Sequence, residues 1–155
     1  MIADGHEPES IPIVRALFLE YAAWLGVDLG FQDFEAELRS LPGKYSPPDG
    51  AILLAQEAGA AAGCVAMRPL APAICEMKRL WVRPAYRKHG VGRLLAAAII
   101  SRARGAGYAR MRLDTLASMT PALALYRGLG FYEVPAYYHN PHPDTVYLEK
   151  VLDRE

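Results

Sequence analysis

The sequence predicts an α/β domain in which flanking helices cover one mixed β-sheet, and three observations carry that prediction. Two apolar runs, Ala51 to Gln56 and Ala61 to Leu70, are joined by Glu57-Ala58-Gly59, the mark of a hairpin. A strand, a helix and a strand then follow one another from Ile74 to Asp114, an order that needs a crossover and hence a parallel strand pair. The crossover helix, about Val91 to Arg104, is amphipathic, with Val91, Leu94, Leu95, Ala98 and Ile99 on one face.

The other elements follow from their own signals. Ser10 stands where a helix cap belongs, Pro12 sits in the first turn, and Val14, Leu17, Tyr21 and Leu25 recur at helical spacing until Gly26 or Gly30. Phe34, Leu38 and Leu41 predict a second, shorter helix that Pro42-Gly43 stops, and Tyr45 to Gly50, with Pro47 and Pro48, is loop. Ile74 to Val82 is the third strand. Strict alternation gives neither of its faces a wholly apolar set, which points to a bulge or to a face that lines a site. Gly105 and Gly107 end the crossover helix, Tyr108 to Asp114 is a strand, and Thr120-Pro121 opens a last helix closed by Gly128 and Gly130. Phe131 to Val134 and Thr145 to Val151 complete the sheet, separated by a loop rich in Tyr, His, Asn and Pro. With no repeat, low-complexity tract or linker, residues 1–155 are expected to form one domain.

Composition agrees. The 155 residues are 52% hydrophobic and 22% charged, which excludes a disordered or collagen-like chain. A chain of this size buries roughly 70% of its unfolded surface and needs no disulfide or metal to stay folded. Cys64 and Cys75 are expected to be small buried side chains. No run of about 18 apolar residues occurs, and the N-terminus, with Asp4, His6, Glu7 and Glu9, lacks the basic-then-apolar order of a signal peptide. The expectation is a soluble cytoplasmic protein with no membrane partner.

Net charge is zero, yet the charges are segregated. Met1 to Glu57 holds ten acidic and three basic residues, whereas Met77 to Leu113 holds ten basic residues and no acid. Solvated surface explains such a pattern; so does a site for a polyanion, such as a phosphorylated cofactor or nucleic acid. The segment Leu80 to Arg93 favours the cofactor. It runs from a strand through a basic glycine loop into a helix, and its residues Arg83, Arg87, Lys88 and Arg93 surround Gly90 and Gly92. Two glycines let a backbone approach a ligand closely, and the N–H groups of a helix start suit a pyrophosphate. Neither the dinucleotide fingerprint nor a P-loop fits these residues.

At this segment the sequence resembles the GCN5-related N-acetyltransferases, whose cofactor motif is Arg/Gln-x-x-Gly-x-Gly/Ala and stands here as Arg87-Lys88-His89-Gly90-Val91-Gly92. The resemblance extends to Glu76-Met77-Lys78-Arg79-Leu80-Trp81-Val82 before it and to Ala124-Leu125-Tyr126-Arg127-Gly128-Leu129-Gly130-Phe131 after it, in order, from about residue 50 onwards. One departure is that only Met1-Ile2-Ala3 precedes the first helix, where the family begins with a strand. The resemblance implies a single-domain fold of that family and acetyl-CoA as co-substrate. It implies that the backbone amides of Lys88, Gly90, Val91 and Gly92 hold the pyrophosphate, within a cofactor site spanning Leu80, Trp81, Val82, Arg87, Lys88, His89, Gly90, Val91, Gly92 and Arg93. Leu80 and Val82 would bind the pantetheine through main-chain groups. Tyr126 resembles the family's tyrosine that protonates the coenzyme A thiolate, and Glu76 sits where some members carry a strand carboxylate as base. For Glu76 an ion pair with Lys78 or Arg79 is an equal alternative.

The function expected is therefore transfer of an acetyl group to a primary amine of a small molecule or peptide, by direct attack in a ternary complex. The alternative is a non-catalytic acyl-CoA-binding or sensor domain on the same fold. A nucleic-acid module lacks the basic pI and interleaved aromatics that it requires. His139 and His142 are separated by Pro141, so no metal is expected, and no Gly-x-Ser-x-Gly supports a serine hydrolase. Phe31, Gln32 and Tyr45, with Tyr138 and Asn140 from the last loop, are expected to line the acceptor site, and a homodimer is compatible with the sequence. Asp28, Asp33, Glu35 and Glu37 lie in the same region and predict attraction for a cationic amine.

Overall fold

The computed structural model describes residues 1–26, 28–30 and 33–152. Its elements are β1 (Ile2–Asp4), α1 (Ile11–Leu25), α2 (Phe34–Ser40), β2 (Ala51–Glu57), β3 (Ala60–Ala71), β4 (Ile74–Val82), α3 (Val91–Gly105), β5 (Arg110–Leu116), α4 (Thr120–Gly128), β6 (Tyr132–Val134) and β7 (Thr145–Val151). The sheet runs in the order β1-β2-β3-β4-β5-β7-β6, with β4 and β5 parallel and the other neighbours antiparallel. The short N-terminal segment does form a strand, because Ile2 to Asp4 pair with Ala55 to Leu53 at the sheet edge.

Alternation in β2 shows how the sheet divides the core. Ala51, Leu53 and Ala55 face one way and join Val91, Leu95 and Ile99 of α3 and Leu123 and Tyr126 of α4. Ile52 and Leu54 face the other way and join Val14, Leu17 and Phe18 of α1 and Phe34 of α2. The buried stripe of α3 is Val91, Leu95, Ala96, Ile99, Ile100 and Ala103. Leu94, expected on that face, is 58% exposed, because the stripe follows i, i+4 steps that carry it away from Leu94. At the start of α1, Ser10 has helical backbone angles and its side chain makes no cap bond. β5 begins at Arg110, two residues later than its sequence suggests, since the Tyr108 amide still closes the end of α3 on the Ala103 carbonyl.

Some of the segregated charges pair with one another across the fold. Asp4 pairs with Arg102, Glu20 with Arg83 and Glu37 with Arg79, each at 2.8 Å, and His89 lies 3.4 Å from Glu57. Arg110 and Arg112 both reach Glu149, which is 2% exposed. Burial pushes the Glu149 carboxyl up, but hydrogen bonds from Arg112 and Tyr132 outweigh it and hold the group below the usual carboxylate range. Three acids of the front, Asp4, Glu20 and Glu37, therefore serve as counter-charges to the basic middle.

Candidate active site

The site arises where the sheet splits. β4 and β5 pair only through Ile74, Cys75 and Glu76 opposite Arg110, Met111 and Arg112, and beyond that point they separate. A bulge in β4 accompanies the split: between the pairs Cys64–Trp81 and Ala66–Lys78, three steps on β4 match two on β3. Arg79 takes the extra position with φ at 62°, a left-handed conformation that costs a non-glycine residue about 1 kcal/mol or more. Its guanidinium answers Glu37 with two hydrogen bonds, at 2.8 and 3.0 Å, and lies 5.1 Å from the Phe34 ring. That buried anchor ties α2 to the bulge and offsets the strain. Across the ladder a Cβ on Gly63 would collide with the Trp81 carbonyl, so glycine permits the close strand approach there.

Between the parted strands lies a cavity of about 120 Å³. Met77 to Leu80 form one wall and Leu113 to Leu116 the other, closed by Tyr126 from α4 and Tyr21 and Trp24 from α1. Tyr126, packed edge-on to Phe131 at 5.8 Å, belongs to the core on the α3 and α4 side. Burial, with Tyr21 and Asp114 adding, pushes its phenol well above the ordinary value, so it stays protonated. Asp114 enters from the opposite face of the sheet: its neighbour Leu113 points into the α3 core, and its own carboxylate accepts a hydrogen bond from the Tyr138 hydroxyl. The cavity thus has a phenol on one face of the sheet and a carboxylate on the other.

Glu76 stands at the fork, 1% exposed, and lines no part of that cavity. It forms an ion pair with Arg68, its cross-strand partner, at 3.1 Å and accepts a hydrogen bond from the Tyr137 hydroxyl at 2.7 Å. Arg79 is not its partner, because the Glu37 anchor holds that side chain. Lys78, 5% exposed, does line the cavity, and its ammonium is pushed down to about 8. Burial is the main cause, opposed by Glu76 and Asp114 and reinforced by Arg79 and Arg68. At Lys78 the unfolded chain therefore binds more protons than the native one between about pH 8 and 10.5, so this residue's contribution to stability rises with pH across that window. Below it the buried charge costs on the order of a few kcal/mol. Denaturant melts at pH 7.5 and 9.5 are expected to show the wild type gaining stability relative to Lys78→Met at the higher pH, since the buried cysteines act alike in both; parallel pH dependence in the two would contradict the assignment.

The glycine loop has the form that a phosphate group requires. Gly90 is left-handed at φ 77°, a Cβ there would meet nothing within 4 Å, and no side chain caps α3. The amides of Val91, Gly92 and Arg93 open the helix and have no acceptor within it. A Cβ on Gly92 would make only ordinary contacts with Val82 and Leu125, so packing does not require glycine there. Lys88, itself at φ 70°, and Arg93 are the exposed cations beside this turn, and His89 is exposed next to Glu57. Arg83 is committed to Glu20, and Arg87 stacks 5.1 Å from the Trp81 ring and 5.4 Å from that of Trp24. Leu80 and Val82 turn toward the α3 core, whereas Trp81 is buried on the α1 side and donates its indole N–H to Glu20.

Of the expected acceptor residues, Phe31 and Gln32 lie outside the described residues. Asn140 lines the cavity and donates to the Tyr138 hydroxyl at 2.9 Å, completing a chain from Asn140 through Tyr138 to Asp114. Tyr45 is 2% exposed and lies beside a second cavity instead. Sequence reasoning missed Asp114 as a site residue. A lone acid ending an otherwise apolar and basic strand was the signal available.

The family model for the acetyltransferase (GNAT) family matches residues 14–131. An uncharacterised N-acetyltransferase of Schizosaccharomyces pombe is 44% identical over 149 residues, covering 95% of this chain and 91% of that protein. Among solved structures, one from Klebsiella pneumoniae assigned as an acyl-CoA N-acyltransferase superposes with a TM-score of 0.78 at 28% identity, over 99% of this chain and 97% of the other. A GNAT family acetyltransferase from Elizabethkingia anophelis, crystallised with acetyl-CoA bound, shares the fold at a TM-score of 0.59 and 22% identity, over 67% of this chain and 77% of that one. With the split sheet, the uncapped glycine turn and these matches together, the chain belongs to the acetyltransferase (GNAT) family and is an acyltransferase.

Proposed function

We infer that the protein transfers an acetyl group from acetyl-CoA to a primary amine of a small molecule or peptide, the amine attacking directly while both substrates are bound. The observation that carries this reading is the approach of Tyr126 and Asp114 to one cavity from opposite faces of the sheet. Bound acetyl-CoA supplies an activated acetyl thioester; the protein's task is to hold it and to move two protons. The amides opening α3, with Lys88 and Arg93, would hold the pyrophosphate, and the unpaired edge of β4 at Leu80 to Val82 would hold the pantetheine.

An alkylammonium with a pKa of about 10.4 must lose its proton before it can attack, at a cost of about 4.6 kcal/mol at pH 7. Asp114 receives that proton, because its carboxylate lines the cavity, whereas both oxygens of Glu76 are engaged by Arg68 and Tyr137. Tyr126 donates its proton to the departing sulfur from the other face as the C–S bond breaks, and the second proton that the nitrogen sheds as the amide forms restores the phenol. Tyr138 and Asn140 orient the Asp114 carboxylate.

The test is release of free thiol from acetyl-CoA against a panel of amines, run from pH 7 to 9.5. Asp114→Asn is expected to lower kcat about tenfold at pH 7 and to recover as the amine deprotonates unaided. Glu76→Gln is expected to lose stability, about 1–3 kcal/mol, with the shape of the pH–rate profile unchanged. A normal profile for Asp114→Asn together with an altered one for Glu76→Gln would exchange the two roles. Absence of thiol release with every amine would remove the transfer reading itself.

A further inference from the structure

A second cavity, of about 150 Å³, opens beside α2 and shares a wall with the first: Glu37 lines it, Arg79 lines the other, and the two are joined by their ion pair. Its lining includes Tyr45, Arg68, Lys44, Ser40, Glu37 and Asp33. The Tyr45 hydroxyl is buried there without a hydrogen-bond partner among the described residues. Such a group is costly to leave unpaired unless something else satisfies it. Burial raises the phenol, the nearby Glu37 carboxylate adds to this and Arg79 and Arg68 oppose it, so it remains a donor. The acids in the lining do not balance the donors. Glu37 has both oxygens on Arg79, and Asp33 is exposed at the start of α2. Arg68 meets a single Glu76 oxygen through Nε and one terminal nitrogen, which leaves further N–H groups, and Lys44 is exposed at the rim. Ser40 spends its hydroxyl proton on the Ala36 carbonyl.

We propose that this cavity binds a carboxylate carried by the acceptor, with Tyr45, Arg68 and Lys44 as its donors, while the acceptor's amine reaches Asp114 in the neighbouring cavity. The inference rests on the acetyl-transfer reading and narrows its substrate class to amines that also bear a carboxylate. It reverses the expectation of a purely cationic acceptor. Of the acids behind that expectation, Glu37 is held by Arg79, Asp28 by the Gly30 amide, and Glu35 lies at the solvated surface near Arg39, which leaves Asp33 alone at the exposed edge of the cavity.

The test compares ω-amino carboxylates of one to five methylenes with their carboxamides as acceptors. At the chain length that spans the two cavities, the acid is expected to exceed its amide at least tenfold in kcat/KM, chiefly through KM. Tyr45→Phe and, separately, Lys44→Met are expected to remove most of that preference. A direct measurement covers the case in which no member of the series turns over: butyrate titrated into the coenzyme A-saturated protein is expected to bind in the wild type and not in Tyr45→Phe. Equal use of acid and amide at every length, a preference that survives both variants, or butyrate binding that is absent or indifferent to Tyr45→Phe would overturn the proposal and leave acetyl transfer standing. Butyrate binding lost in Tyr45→Phe without any acid preference would assign the cavity to a separate carboxylate effector, which also overturns it. Butyrate binding without thiol release from any amine would instead defeat the transfer reading.

Discussion

Gly90→Asp is expected to abolish coenzyme A binding in a protein that still folds. The residue sits at φ 77°, and a Cβ there meets no neighbouring atom within 4 Å, so the substitution meets no steric obstacle in the protein itself. Asp also tolerates the left-handed region better than most residues, so the strain is about 1 kcal/mol. The cost falls on the ligand. A carboxylate about 5 Å from one phosphate charge, at an effective dielectric of about 20, opposes it by about 3 kcal/mol, which is more than a hundredfold in affinity. Gly90→Asn is the control, with the same shape and conformational tolerance but no charge. Calorimetric titration of coenzyme A should therefore rank wild type first, Gly90→Asn next and Gly90→Asp with no measurable binding, and the wild-type affinity should weaken with salt. Equal affinities for the Asp and Asn variants would mean that no phosphate lies at the start of α3.

The glycine turn at the start of α3 was legible because it is local: two glycines, a strand before them and a helix after them are adjacent in the sequence. So was the β4 bulge, announced by a strand whose alternation fails at Lys78 and Arg79. What the sequence could not show was pairing over long separations. Glu37 and Arg79 are 42 positions apart, and Glu20 and Arg83 are 63, so part of the charge asymmetry that suggested a polyanion site is internal neutralisation. Glu76 illustrates the same limit. Its sequence neighbours Lys78 and Arg79 were the natural partners, yet the residue opposite it on β3 is Arg68, and register decides. Asp114 was hidden for a related reason: its value lies in facing a gap that exists only because β4 and β5 stop pairing two residues before it.

Tyr126→Phe is expected to lower kcat about a hundredfold while coenzyme A affinity stays within about twofold. The magnitude follows from what the phenol does. A thiol with a pKa of about 8.5 departs as a moderately stable anion, so an acid that protonates it contributes toward the lower end of the usual range, about 2.7 kcal/mol. Burial keeps the Tyr126 hydroxyl protonated throughout the assay range, so the wild-type profile should show no fall from its ionisation up to about pH 9.5. The ring itself packs on Phe131 in the α3 and α4 core, and phenylalanine preserves that contact, so the melting temperature should change little. The split between kcat and affinity is the decisive reading, because a packing role would move stability and a binding role would move coenzyme A affinity. If Tyr126→Phe retained full kcat, the proton for the departing thiolate would have to come from solvent, and the two-faced arrangement of Tyr126 and Asp114 would lose its catalytic meaning.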